Sequence, residues 1–186
     1  MAVILLCPPR FDDDRGWFSE TYNKRREAEG GIAAEFVQDN QSLSAQAGTL
    51  RGIHFQSPPH AQAKLVRCTR GRVLDVVVDL RRDSPTFGKH VSTELSFANG
   101  RQLFIPAGFG HGFVTREPGT EIAYKVDDYY DPASEGGLRW DCPDLAINWG
   151  LEGAPAISDK DAKLPRLREF DTLFAYDGQP LELIVR

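Results

Sequence analysis

Lys64-Leu65-Val66-Arg67-Cys68-Thr69-Arg70-Gly71-Arg72-Val73-Leu74-Asp75-Val76-Val77-Val78-Asp79-Leu80 holds two apolar runs of strand length with only Arg70-Gly71 between them. Valine and its branched relatives fit the pleated surface of a sheet, and short runs broken by glycine and charge are the mark of an all-β sandwich or barrel. So short a junction predicts that the two runs form a hairpin. The same pattern extends from about residue 49 to 128, with further strands expected at Thr49 to Gln56, His90 to Leu95, Leu103 to Ile105 and Ile122 to Val126. Ala2 to Cys7 reads as a first strand, stopped by Pro8-Pro9. Pro58-Pro59, Ser84-Pro85 and Pro106 mark loops or strand entries, where a missing backbone donor does least harm. Helix is scarce, with short candidates at Asn23 to Glu29 and Ser158 to Leu164. From Trp140 onward, proline, glycine and aspartate mix with isolated apolar residues, a segment expected to cross the barrel as loops and short helices.

Alternation within the strands says which side chains share a face. Lys64 shares its face with Val66 and Cys68, so it is directed into the barrel. Tyr124 lies with Ile122 and Val126 on the expected inner face, and Lys125 on the outer. Asp75 and Asp79 fall in a strand otherwise built of valine and leucine, and two carboxylates there require partners.

At 186 residues the chain suits one sizeable core, and a single domain over 1–186 is expected. An apolar share of 41% with 26% charged residues excludes the disordered and membrane classes. The N-terminal apolar run is too short for a signal peptide, and no stretch reaches the roughly 18 apolar residues of a membrane span. Cys7, Cys68 and Cys142 are widely spaced, which argues against disulfides and for a reducing, cytoplasmic setting. A net charge of −5 disfavours nucleic acid as a partner.

An ordered set of motifs runs from about residue 8 to 165. It comprises Asp14-Arg15-Gly16 with Phe18 and Glu20, Gln38-Asp39-Asn40, Leu50-Arg51-Gly52-Ile53-His54-Phe55-Gln56 and Gln62-Ala63-Lys64-Leu65-Val66. Ser84-Pro85-Thr86-Phe87-Gly88, Pro106-Ala107-Gly108-Phe109-Gly110-His111-Gly112-Phe113, Tyr124 with Tyr130, and Ser158-Asp159-Lys160-Asp161 complete it. Together they closely resemble the dTDP-4-dehydrorhamnose 3,5-epimerases. The resemblance implies a cupin-type jelly-roll barrel with short peripheral helices, a homodimer, and a pocket for a dTDP-4-keto-6-deoxy sugar, with no metal or organic cofactor. The implied reaction inverts C3 and C5 beside the C4 ketone.

Such chemistry needs a base, a stabiliser for the enolate and an acid on the opposite face. By matching motif, His54 is the base; an imidazole titrates near ~6.5 and can accept a proton at neutral pH. Asp161 matches the carboxylate that orients it, as in catalytic triads. Lys64 is the candidate enolate stabiliser. Tyr124 is the candidate acid, since a phenol of pKa ~10 is protonated at neutral pH, and a nearby lysine would ease the loss of its proton. Arg51 and Tyr130 match substrate contacts, and Arg15, Phe18, Glu20, Gln38 and Asn40 match positions around the nucleotide and sugar. Phe18 is a candidate to stack on thymine, from the same subunit or its neighbour. His111 with Asp75 forms a candidate second pair at the sugar.

Other readings stand beside these. Asp161 is also the third position of a helix that Ser158 would cap. Pro106 to Phe113 reads equally as a structural turn and as a contact loop. In a regular strand Arg51 and His54 face opposite sides, so both reach one pocket only if the strand bulges, which Gly52 permits. Rival functions are a mono-epimerase of a related pathway, a metal-dependent cupin enzyme and a non-catalytic carbohydrate-binding jelly roll. The stretch from Gly100 to His111 resembles the second cupin motif, but no second histidine beside His54 completes the first.

Overall fold

The computed structural model describes residues 1–186. In chain order its elements are β1 (Val3–Leu6), β2 (Phe11–Asp13), β3 (Gly16–Phe18), α1 (Lys24–Glu29), β4 (Gln38–Ser44), β5 (Leu50–Gln56), β6 (Lys64–Arg70), β7 (Arg72–Asp79) and β8 (His90–Ser96). There follow β9 (Gln102–Ile105), β10 (Phe109–Thr115), β11 (Thr120–Val126), β12 (Glu135–Gly137), α2 (Asp159–Ala162), a 3-10 turn at Leu167–Glu169 and β13 (Leu183–Val185). No helix is long and apolar enough to cross a membrane.

Two sheets face each other. One is six-stranded in the order β13-β1-β9-β6-β11-β4, the other five-stranded in the order β12-β5-β10-β7-β8. From β4 to β11 the chain changes sheet at every connection except β7 to β8, the winding of a cupin-type jelly roll. The first core lies between the sheets, where Val66, Cys68 and Ile122 from one meet Val73, Val77, Phe109 and Phe113 from the other. A second core covers the outer face of the five-stranded sheet, with Cys142, Leu145, Trp149 and Phe174 packed on Ile53, Phe55, Val76 and Val78. Both faces of β7 are thereby buried over most of its length, which explains why valine and leucine fill it on both sides around Asp75 and Asp79.

The hairpin expected at Arg70-Gly71 is not formed. Arg70 pairs with Glu121 of β11, whereas Arg72 pairs with Ser96 of β8, so β6 and β7 lie in different sheets. Gly71 makes the corner at φ +76°, and a Cβ there would stand 2.4 Å from the Thr120 hydroxyl. A short glycine junction therefore fits a sheet-to-sheet corner as well as a hairpin. Asp79 finds the partners its burial demands: Arg81 donates to it through Nε (2.9 Å) and Nη2 (2.8 Å), Ser84 Oγ at 2.6 Å and Thr86 Oγ1 at 2.7 Å.

Candidate active site

The face assignments made from alternation hold, and they bring the candidate groups together. Arg51 and His54 come from β5, Lys64 from β6, His111 and Phe113 from β10, Tyr124 from β11, and Ser158, Lys160 and Asp161 from the α2 region; all line one cavity of about 550 Å³. A smaller recess of about 160 Å³ shares His54, Lys64 and Tyr124 and adds Gln38, Asn40, Tyr130 and Glu135.

Arg51 and His54 reach the same cavity through a bulge. His54 pairs with His111 and Arg51 with Phe113, so three steps along β5 oppose two along β10. The extra residue restores both side chains to the inner face while Ile53 and Phe55 face the outer core. Gly52 takes φ +113° there, and a Cβ would lie 2.6 Å from Gly112 Cα and from the His111 carbonyl oxygen. The glycine-rich run Pro106 to Phe113 is in large part a strand. Gly110 is small because a Cβ would press on Ile53 Cγ2 at 2.4 Å, and the alternation Phe109, His111, Phe113 aims His111 inward.

His54 Nε2 lies 2.8 Å from Asp161 Oδ1, leaving Nδ1 without a protein partner. Ser158 does cap α2, accepting from Asp161 N at 3.1 Å. The two readings of Asp161 are thus compatible, because the cap engages its backbone and leaves its carboxylate for His54. Burial opposes ionisation of Asp161, but hydrogen bonds from His54, the charge of that ring and the Gly52 N–H (3.2 Å) prevail and hold its pKa below the usual carboxylate value.

Lys64 Nζ donates to the His54 carbonyl at 3.4 Å. Burial lowers its pKa to about 8, against the opposing pull of Asp75 and Glu135. Asp75 is fully buried and its carboxylate meets His111 Nε2 at 2.9 and 3.0 Å. The Tyr124 phenol is pushed up by burial, and the cation that opposes this is Arg51, not the lysine expected from sequence. Arg51 itself is held by Ser44 Oγ (3.3 Å) and the Leu43 carbonyl (3.1 Å).

The sequence does not single out Glu135, and Lys160 figures in it only within the Ser158 to Asp161 motif, without a role. Tyr130 Oη donates to Glu135 Oε2 at 2.9 Å, and Lys160 Nζ meets Glu135 Oε1 at 2.6 Å. Burial would raise the Glu135 pKa, but those two partners keep it below the ordinary value. Nothing in their spacing marks them; only the approach of β12 to α2 does. Gln38 donates to Asn40 Oδ1 at 2.9 Å and accepts from Tyr130 N at 3.2 Å, so these three form one edge of the smaller recess.

Arg15, Phe18 and Glu20 are not brought to the cavity within one chain. The first two lie on the β2–β3 hairpin, which joins neither large sheet. Arg15 bonds Asp13 at 2.6 Å, Phe18 is 68% exposed, and Glu20 meets Arg26 at 3.2 Å. No cluster of three or more histidine, cysteine or carboxylate side chains is arranged to hold a metal.

A jelly-roll barrel whose facing sheets bring an imidazole–carboxylate pair, a phenol and an ammonium to one cavity defines a class: enzymes of acid–base chemistry with a small-molecule pocket inside the barrel. The chain belongs to the dTDP-4-dehydrorhamnose 3,5-epimerase family, whose model matches residues 1–169, and so to the isomerases. It is 49% identical over 174 residues to the dTDP-4-dehydrorhamnose 3,5-epimerase of Sinorhizobium fredii, covering 94% of this chain and 89% of that one. The crystal structure of the Bacillus anthracis dTDP-4-dehydrorhamnose 3,5-epimerase with TDP and PPi bound matches with TM-score 0.85 at 50% identity, over 87% of this chain and 92% of that one. That of the Legionella pneumophila dTDP-6-deoxy-D-glucose-3,5-epimerase in complex with dTDP-4-keto-L-rhamnose matches with TM-score 0.88 at 44% identity, over 92% of each.

Proposed function

We propose that this protein epimerises C3 and C5 of dTDP-4-keto-6-deoxyglucose, giving the 4-keto sugar from which dTDP-L-rhamnose is made. The observation that carries the reading is the placement of His54 with Asp161 on one side of the cavity, and Tyr124 and Lys64 on the facing sheet.

In the proposed mechanism, His54 takes the proton from the carbon next to the C4 ketone through its unpartnered ring nitrogen. The electron pair of that C–H bond moves onto the ketone oxygen, where the Lys64 ammonium stabilises the enolate. Tyr124 then delivers a proton to the opposite face of the same carbon, and the Arg51 charge steadies the phenolate it leaves. Exchange with solvent returns His54 and Tyr124 to their starting states, and repetition at the second carbon completes the reaction. Asp161 holds the ring of His54 and stabilises its imidazolium. The His111–Asp75 pair faces the sugar, and Tyr130, Gln38 and Asn40 flank the nucleotide. The reaction needs no cofactor in this scheme.

The exposed hairpin supports a further part of the reading. In a homodimer, Arg15, Phe18 and Glu20 of one subunit would reach the nucleotide held by the other, the guanidinium on diphosphate and the phenyl ring on thymine. The protein would be one domain acting in the cytoplasm. Incubation with dTDP-4-keto-6-deoxyglucose in deuterated water tests the proposal: deuterium should enter both C3 and C5. Label at one carbon would mean a mono-epimerase, and its absence from both would defeat the reading for this substrate.

A further inference from the structure

The candidate site has walls on two sheets. Arg51, His54, Asp75 and His111 stand on the five-stranded sheet, Lys64 and Tyr124 on the six-stranded one. The placement of base against acid is therefore set by whatever fixes the sheets to each other. Residues 170–186 lie beyond the part that the family model matches, and they grip both sheets.

Phe170 and Phe174 pack against Phe55, with ring centroids 5.0 and 5.7 Å away. Phe55 directly follows His54 and faces the outer core, so these rings back the strand that carries the base. Arg82 N donates to the Phe174 carbonyl at 2.8 Å, and the Thr172 hydroxyl donates to the Leu80 carbonyl. Next along the chain, Asp177 accepts from Arg81 Nη1 at 2.7 Å. Arg81 is 2% exposed, covers the Phe109 ring at 4.2 Å and holds Asp79, so this latch is rooted in β7 and β10. Leu181 N donates to Thr86 Oγ1 at 2.8 Å. Leu181 and Leu183 then pack on the core between the sheets, and β13 pairs parallel with β1 at the edge of the six-stranded sheet. Arg186 N to the Leu5 carbonyl (2.9 Å) and Cys7 N to the Arg186 carbonyl (2.8 Å) close the last rung.

From these contacts we infer that residues 170–186 are a strap that sets the spacing of the two sheets at the site, with Phe174 the positioning residue behind His54 and Asp177 its latch. The inference rests on the acid–base reading of the cavity. Reacting groups displaced by about 1 Å can lose on the order of 100-fold in rate, so a small change in sheet spacing is felt in turnover before it is felt in binding.

The test uses full-length Phe174→Leu and Asp177→Asn proteins. For each, kcat and KM with dTDP-4-keto-6-deoxyglucose, dTDP affinity by calorimetry and the unfolding midpoint are measured, together with the ring 15N resonances of His54 without substrate. Expected are a fall in kcat of roughly tenfold for Phe174→Leu and a smaller one for Asp177→Asn, with KM and dTDP affinity within about twofold, in proteins folded at the assay temperature. The His54 resonances should move in both. Folded variants with the wild-type kcat would overturn the inference, as would a loss of kcat that only tracks the fraction of protein able to bind dTDP. If the wild-type protein itself gives no turnover, the functional reading fails, and the His54 resonances alone decide the strap: unmoved, they refute it.

Discussion

His54 Nε2 and Asp161 Oδ1 meet at 2.8 Å across 107 positions of sequence, while the other oxygen of the same carboxylate receives the Gly52 N–H at 3.2 Å. One side chain thus fixes both the ring and the bulge that turns it inward. Asp161→Asn should lower kcat by about 10²- to 10⁴-fold while dTDP binding, measured by calorimetry, stays near wild type. Turnover within a few-fold of wild type would show that the pair is only structural. The same substitution should alter the acid limb of stability. The pKa of Asp161 is depressed in the fold, so its contribution is present above the ordinary carboxylate range and is lost as pH falls through the folded value. Denaturant midpoints measured downward from about pH 6, roughly two units above an ordinary carboxylate, should fall less steeply for Asp161→Asn.

Lys64 places function against stability. With its pKa lowered to about 8, the ammonium needed at the enolate is present at neutral pH and lost above that value. The kcat/KM profile, which reports groups of the free enzyme, should therefore show a basic limb near pH 8, and Lys64→Arg should carry that limb to higher pH, whatever activity it retains. Lys64→Met should lower kcat by roughly 10²- to 10³-fold. Because the unfolded chain binds the proton more tightly than the folded one, wild-type stability should rise as pH increases from about 8 towards the unfolded value, and Lys64→Met should lack this rise. A flat wild-type profile in that window would refute the burial argument.

The β2–β3 hairpin yields a test of subunit sharing. Phe18→Ala should raise the KM for the nucleotide sugar by about tenfold, the scale of one lost stacking contact. Mixing it with His54→Ala protein under conditions that exchange subunits should restore one intact site per mixed dimer and so, at substrate well below the wild-type KM, raise activity above either parent. A mixture no more active than the Phe18→Ala parent would place Phe18 outside the partner's site.

How far the sequence revealed this molecule depends on which force shaped each element. Strands β5, β6, β7 and β11 were legible because their inner and outer neighbours differ in polarity or are both apolar, and the same alternation aimed Lys64 and Tyr124 inward. Strand β4 was invisible: Gln38–Ser44 lies at a sheet edge and is nearly all polar, so no hydrophobic period marks it. Strand β10 was disguised by Gly110 and Gly112, whose small size answers to Ile53 and Arg51 on the adjacent strand. Sheet membership was misread at Arg70-Gly71 because local turn chemistry does not say which neighbour a strand will take. Glu135 and Lys160 belong to short elements whose meeting is fixed only by the tertiary fold.

The near-constant switching between sheets has a consequence for how the molecule comes into being. Since β5 and β6 succeed each other in the chain yet lie on opposite walls, neither wall can be completed by a contiguous stretch of polypeptide. Pairings so remote in sequence carry a large loop-closure cost, and barrels of this kind gain their structure late and slowly. A nascent or cleaved fragment would then hold all the residues of one strand and none of the cavity, so that catalytic competence should arrive in a single cooperative event, together with closure of the barrel.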